Sequence, residues 1–256
     1  MTLTAPERVA YSTQQAKVDL AAAHRLVVRQ GLKDLTLGNH FTLVDPENPQ
    51  RLLSTPEYES WPLVKASNLT AIDSEEQAAA DLRLWINYRI HWPVHQSRAD
   101  AACVMHLHPP YISALSMLDE ELGLANQGAL FLRDKISYTN EYDGAVGHLG
   151  MQQGEKLADA LGRDKIAVVM RNHGLLTIGR SVAQAYAYMI AIERQAQYRI
   201  LALSTGRKIL EVPEEFWPDR EKFNKPPKSN GGPDQFQANF EAQKRVLDRD
   251  EPDYRD

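Results

Sequence analysis

One cysteine, Cys103, stands in a chain of 256 residues, so an intrachain disulfide is excluded. Its setting, Ala101-Ala102-Cys103-Val104-Met105, reads as core packing. No apolar run approaches the ~20 residues that a membrane helix needs, which argues against a spanning segment. Basic and acidic residues are interspersed and sum to a net charge of −5. The chain therefore has neither the Lys/Arg stripe of a nucleic-acid binder nor the polybasic run of a membrane-surface protein. Met1–Glu7 lack both a charged segment and an apolar one, so no secretory signal is expected and the cytoplasm is the default. No internal repeat is visible. What remains, 43% apolar and 25% charged residues, is ordinary for a soluble protein. The length suffices for one domain that buries roughly three quarters of its unfolded surface.

The pattern alternates helices with short strands. A helix capped by Thr13 places Ala16, Leu20, Ala23 and Val27 on one face and ends at Gly31. Extended segments are expected at Phe41–Val44, Arg51–Ser54 and Leu69–Ile72. Ser74–Gln96 is helical in pattern, with Pro93 expected to kink or shorten it. Then come a strand at Ala102–His106, a helix at Pro110–Leu118, and short strands near Ala129–Leu132 and Ile136–Tyr138. A helix at Met151–Leu161 stops at Gly162. Ile166–Met170 and Leu175–Ile178 look like a hairpin, and a long helix starts at Ser181 with Gln184 completing a capping box. This mixture implies an α/β or α+β sheet covered by helices. From Glu211 the composition shifts: prolines and Ser229–Gly232 mark an arm ending in a helix with Phe236, Phe240 and Leu247 on one face. The expected organisation is a short N-terminal segment (1–12), a main domain (13–210) and an arm (211–256). The arm docks either on its own domain or on a neighbouring subunit.

The chemistry concentrates in histidines. His106 and His108 point to the same side of an extended strand because side chains alternate. With His173, in Arg171-Asn172-His173-Gly174, they would make a three-nitrogen divalent site with an open position. Taken alone, the pair would also fit two polar residues at a strand end. Its context is a buried strand running into Pro109-Pro110, and proline suits the first turn of a helix. That places the pair at a strand-to-helix corner, where a metal site is at home.

These segments resemble the class II aldolase/adducin domain family. The matching pieces are Leu37-Gly38-Asn39-His40, Ile90-His91 with His95 and Arg98, Val104–Tyr111, Tyr138 with Tyr142-Asp143-Gly144, and Arg171–Gly179. The resemblance runs from about Val18 to the C-terminus, tail included. It implies a three-layer α/β/α sandwich with a largely antiparallel central sheet, usually assembled as a tetramer. It also implies one divalent ion on His106, His108 and His173, zinc first, with Fe²⁺ or Mn²⁺ as alternatives. Such an ion would stabilise an enediolate formed as a C–C bond breaks.

The sequence departs from the sugar-phosphate aldolases in two places. Asn87 occupies the position of their catalytic glutamate, and an amide cannot take a proton at neutral pH; it also fits a helix cap. Thr55-Pro56-Glu57-Tyr58-Glu59 and Val44 replace the small, basic elements of a phosphate pocket. The expected substrate is thus a small, non-phosphorylated carbonyl or 2-oxo/hydroxy acid, and the expected activity is a metal-dependent lyase. The alternatives are a non-haem Fe(II) oxygenase on the same histidines and a non-catalytic adducin-like binding protein. His40, Asn87, Tyr138 and Tyr142 are the candidate catalytic positions. His91 and His95, four residues apart, are weaker candidates, and Glu193 is expected to be a structural ion-pair partner.

Overall fold

Alternation along one strand, β4 (Cys103–Leu107), sends its side chains into two apolar clusters. Cys103, Met105 and Leu107 enter one apolar cluster, while Val104 enters another on the opposite face of the sheet. The computed structural model describes residues 12–33, 38–56, 58–139, 150–219 and 234–256. Among them, β4 is the middle of seven strands. β1 (His40–Val44), β2 (Leu52–Ser54) and β3 (Thr70–Ile72) lie on one side of it, and β7 (Gly174–Gly179), β6 (Ala167–Met170) and β5 (Ile136–Tyr138) on the other. The order is β3-β2-β1-β4-β7-β6-β5, and only the β5–β6 pair is parallel.

Helices cover both faces, as expected of an α/β sandwich. One cluster joins α1 (Thr13–Arg29), α4 (Pro110–Ser116), α7 (Val182–Leu203) and α8 (Gln235–Asp250) to the face of Phe41, Leu43, Met105, Val169 and Leu175. The other face carries Val104, Val168, Leu176 and Ile178 against α3 (Leu82–Ser97) and α6 (Gln152–Leu161). A third cluster places Val44, Leu52 and Ile72 against α2 (Glu75–Ala79) and the first half of α3.

Several expectations are corrected. The cap of α1 is Ser12, whose hydroxyl accepts the Gln15 N–H, rather than Thr13. The helical stretch after Ser74 is two helices, α2 and α3, the second capped by Asp81. Pro93 lies inside α3 without ending it. Proline has no N–H for the Arg89 carbonyl four residues back, and Gly154 of α6 packs over that carbonyl so closely that a Cβ there would sit 2.4 Å from it. Residues 127–130 form a short helix, α5 (Gln127–Leu130), not a strand; Asn126 caps it by accepting the Ala129 N–H.

The terminal helix docks on its own chain. Phe240 of α8 is buried against Tyr186 of α7, with ring centroids 5.4 Å apart, and Phe236 meets Tyr188 at 5.4 Å. Lys244 is buried in an ion pair with Asp19 of α1 at 2.6 Å. The tail closes over α1, where Arg25 grips Asp253 through two hydrogen bonds at 2.7 and 3.1 Å. A buried aromatic contact, a half-buried one and a buried ion pair seat α8 on its own domain, the first of the two docking modes left open by the sequence.

Candidate metal centre

The β6–β7 hairpin supplies one corner of the site. Met170 pairs with Gly174, so Arg171, Asn172 and His173 form its loop. The turn closes with the His173 N–H donating to the Met170 carbonyl at 3.1 Å. Asn172 adopts φ 56°, a left-handed conformation that asparagine tolerates better than most residues. Gly174 follows because nothing larger fits: a Cβ would lie 2.5 Å from the Leu107 carbonyl oxygen and 2.8 Å from His108 Cδ2. The turn thereby presses His173 against the end of β4.

There His106, His108 and His173 converge. Each offers a ring nitrogen, and the three nitrogens lie within 4.8 Å of one another. The ring centroids are 4.9 Å apart in all three pairs. Leu175 presents its carbonyl 3.0 Å from His106 Nδ1, which must donate to it. That fixes the tautomer and leaves Nε2 with its lone pair, the arrangement a metal-ligating imidazole needs. Burial pushes the His106 imidazolium well below its usual pKa, and pushes His173 down to about 4. Both rings are therefore neutral at physiological pH, the form that ligates. The His108 N–H donates to Asn39 Oδ1 at 3.1 Å, tying β4 to the residue that precedes β1. Pro109 and Pro110 then lead into α4. Glu193 of α7 accepts the Tyr111 and Ile112 N–H groups at 2.9 and 2.8 Å. Its role is thus to cap the first turn of α4 and hold the corner; among the described residues it forms none of the ion pairs expected from the sequence.

The remaining candidates separate. His40 pairs in register with His106 across the β1–β4 ladder, and their rings lie 5.0 Å apart. His40 is buried, and desolvation together with neighbouring imidazoles holds its pKa well below the usual value. Asn87 lies inside α3, so it is no helix cap; its Nδ2 donates to Ser54 Oγ at 3.0 Å in the interior. Tyr138 packs on the opposite face of the sheet, in the α7-side cluster. Its hydroxyl accepts the Leu122 N–H at 3.0 Å, and burial pushes its pKa up to about 12. The structure therefore makes it a packing residue rather than a proton donor at the triad, because its strand position pairs with Val169, which faces the same cluster. Tyr142 lies outside the described residues.

Sequence reasoning missed Thr42 and Ser54. Thr42 shares a face of β1 with His40 and meets both His91 and His95 of α3. Two signals pointed there: alternation in His40-Phe41-Thr42, and the stripe of Asn87, His91 and His95 at every fourth position of one helix. Thr55, in the segment where a phosphate pocket would lie, is also committed. Its hydroxyl accepts the Phe41 N–H at 2.8 Å and bonds His24 Nε2 at 2.9 Å.

Comparison with known proteins agrees with this architecture. The family described as the Class II Aldolase and Adducin N-terminal domain matches residues 18–200. A Caulobacter vibrioides protein named for the class 2 aldolases is 32% identical over 217 residues, covering 83% of this chain and 82% of its own. A Streptomyces roseochromogenus protein named 4-hydroxy-3-prenylphenylpyruvate oxygenase/4-hydroxy-3-prenylbenzoate synthase is 26% identical, over 73% of this chain and 67% of its own. Among solved structures, an aldolase II superfamily protein from Pseudomonas syringae superposes with a TM-score of 0.81 at 28% identity, covering 98% of both chains.

Proposed function

The chain belongs to the class II aldolase and adducin family, and we propose that it is a metal-dependent lyase acting on a non-phosphorylated carbonyl or 2-oxo/hydroxy acid, by aldol-type cleavage or decarboxylation. The observation that carries this reading is the convergence of three imidazole nitrogens within 4.8 Å at the end of β4. His106, His108 and His173 would hold one divalent ion, Zn²⁺ first, with Fe²⁺ or Mn²⁺ as alternatives. When bound on three neutral ligands, such an ion keeps its full charge and stabilises negative charge developing on the oxygens of a carbonyl compound.

The chain's own groups do the rest. The Leu175 carbonyl orients His106. His40, beside His106, replaces the family glutamate as the acceptor next to the site. Asn87 cannot take that role, because an amide is no base at neutral pH. Phosphorylated sugars are disfavoured because the Thr55 hydroxyl is engaged within the fold, with the Phe41 N–H and His24 Nε2. The active assembly is a homo-oligomer, a tetramer by family resemblance.

A second reading, a non-haem Fe(II) oxygenase, is favoured by the amide at Asn87 and by the oxygenase name of the Streptomyces relative. Retention of all three histidines speaks against a purely adducin-like binding protein. Elemental analysis after anaerobic purification, with oxygen uptake measured during turnover, separates the readings. Zinc without uptake supports the lyase, and iron with uptake replaces it with the oxygenase. Full metal occupancy in His106→Ala or His173→Ala would overturn the ligand set. Turnover of fuculose or ribulose phosphate at ~1 s⁻¹ or faster would overturn the substrate class.

A further inference from the structure

We propose that a buried hydrogen-bonded chain, running from the Ala101 carbonyl through His95, Thr42 and His91 to His40, fixes which nitrogen of His40 bears its proton and makes Thr42, His91 and His95 positioning residues of the centre. The functional meaning rests on the reading above; the chain itself rests on geometry alone.

Four contacts form the chain. His95 Nδ1 lies 2.5 Å from the Ala101 carbonyl oxygen. Thr42 Oγ1 lies 2.7 Å from His95 Nε2 and 2.7 Å from His91 Nδ1. His91 Nε2 lies 3.0 Å from His40 Nδ1. Thr42 and His91 are fully buried, and His40 and His95 expose 2% and 7%.

The direction follows from one end. A carbonyl oxygen can only accept, so His95 carries its proton on Nδ1 and its neutral ring accepts at Nε2. The single hydroxyl proton of Thr42 must then go to His95. Having spent it, Thr42 can only accept from His91, which therefore carries its proton on Nδ1. His91 Nε2 is left as an acceptor, and His40 Nδ1 must donate to it. The consequence is a lone pair on His40 Nε2, the edge of the ring that the chain does not use. This is the minority tautomer of a free histidine side chain, so an unconstrained His40 would favour the other form. The opposite direction is available only if His95 carries two ring protons, which would put the His40 proton on Nε2.

Burying three imidazoles and a hydroxyl between a helix and a sheet is costly unless every group is paired. Apolar residues fill the same helix–sheet interface elsewhere, as Ile90 and Val94 do one residue away. The polar stripe departs from that pattern along the line that ends at His40. At that end it leaves an acceptor, rather than a donor, on the free edge of the His40 ring, whose centroid lies 5.0 Å from that of His106.

The test uses the full chain with ¹⁵N-labelled histidine at pH 8, metal-free and zinc-loaded. Two-bond ¹H–¹⁵N correlations report which ring nitrogen is protonated, and His40→Gln and His91→Gln assign the signals. The expected result is Nδ1–H for both His40 and His91 in the wild type and in Thr42→Ser. Thr42→Val should lose this single-tautomer pattern at both residues. His40 protonated on Nε2 in the wild type would overturn the proposal, as would an unchanged pattern in Thr42→Val. If the valine variant does not fold, the wild-type and serine spectra still decide. Because the pattern is read without metal or turnover, failure to bind zinc with the tautomers intact would overturn the metal reading alone. Reversed tautomers in a zinc-binding protein would overturn the chain alone.

Discussion

Replacing Gly174 with alanine tests how tightly the hairpin is pressed against the histidine corner. The added Cβ would sit 2.5 Å from the Leu107 carbonyl oxygen and 2.8 Å from His108 Cδ2. Neither neighbour can yield cheaply. Leu107 is at the end of β4, paired with Leu175 of β7, and His108 is tied through its N–H to Asn39. Relief requires β7 and β4 to separate by roughly half an ångström or more, an overpacking strain of about 1–3 kcal/mol. Against a domain stability of about 5–15 kcal/mol the variant should still fold. At about 2–4 °C per kcal/mol for a chain near this size, its melting temperature should fall by about 2–12 °C. The same displacement moves His108 relative to His106 and His173, so zinc affinity should fall by about 10–100-fold, as it does when the groups that orient a ligand are lost. Calorimetric titration of the metal-free protein with zinc, together with melting curves with and without the metal, measures both effects. Gly206→Ala is the control: its φ of 67° is strained for alanine, but nothing lies within 4 Å, so it should cost stability without touching zinc affinity. A Gly174→Ala protein with zinc affinity within twofold of wild type and an unchanged melting temperature would refute the reasoning.

Other expectations follow from the packing and from the buried titrating groups. Phe240→Ala should cost about 3–5 kcal/mol, because the ring is buried against Tyr186; denaturant unfolding measures it, and a loss below ~1 kcal/mol would show that α8 is not part of the folded unit. Stability should fall as the pH is lowered through the imidazole range. Burial holds His24 at about 4 against an ordinary 6.5, so the unfolded chain binds the proton first and His24 alone removes about 3 kcal/mol between those values. A flat pH profile of unfolding free energy from 7 to 4 would contradict this. Sedimentation should find a homo-oligomer, consistent with exposed Tyr198, Leu201, Leu210 and Phe216. A monomer at micromolar concentration would remove that part of the proposal, and loss of α8 should now destabilise the domain itself.

The legible part of the fold was the part written locally. Alternation placed β1, β4 and the β6–β7 hairpin, capping serines marked the start of α7, and Gly162 marked the end of α6, where it adopts φ 52°. His106 and His108 announced themselves because a period of two puts both on one side of a strand. What stayed hidden depended on partners far along the chain. Residues 129–132 read as a strand by composition, yet Asn126 caps a short helix over Gln127–Leu130. Pro93 was expected to kink or shorten its helix, yet α3 runs on past it to Ser97, with Gly154 from α6 packed over the Arg89 carbonyl. Tyr138 looked equivalent to the other candidates until its strand register put it on the far face of the sheet. Which residues could ligate a metal was legible without coordinates, because residue type and strand periodicity are properties of single segments. That His173 meets them, that His40 lies beside His106, and that Thr42 joins His91 to His95 came from the tertiary structure alone. Those facts are distances between segments, and they are set by how the sheet orders its strands and where α3 and the β6–β7 turn come to rest.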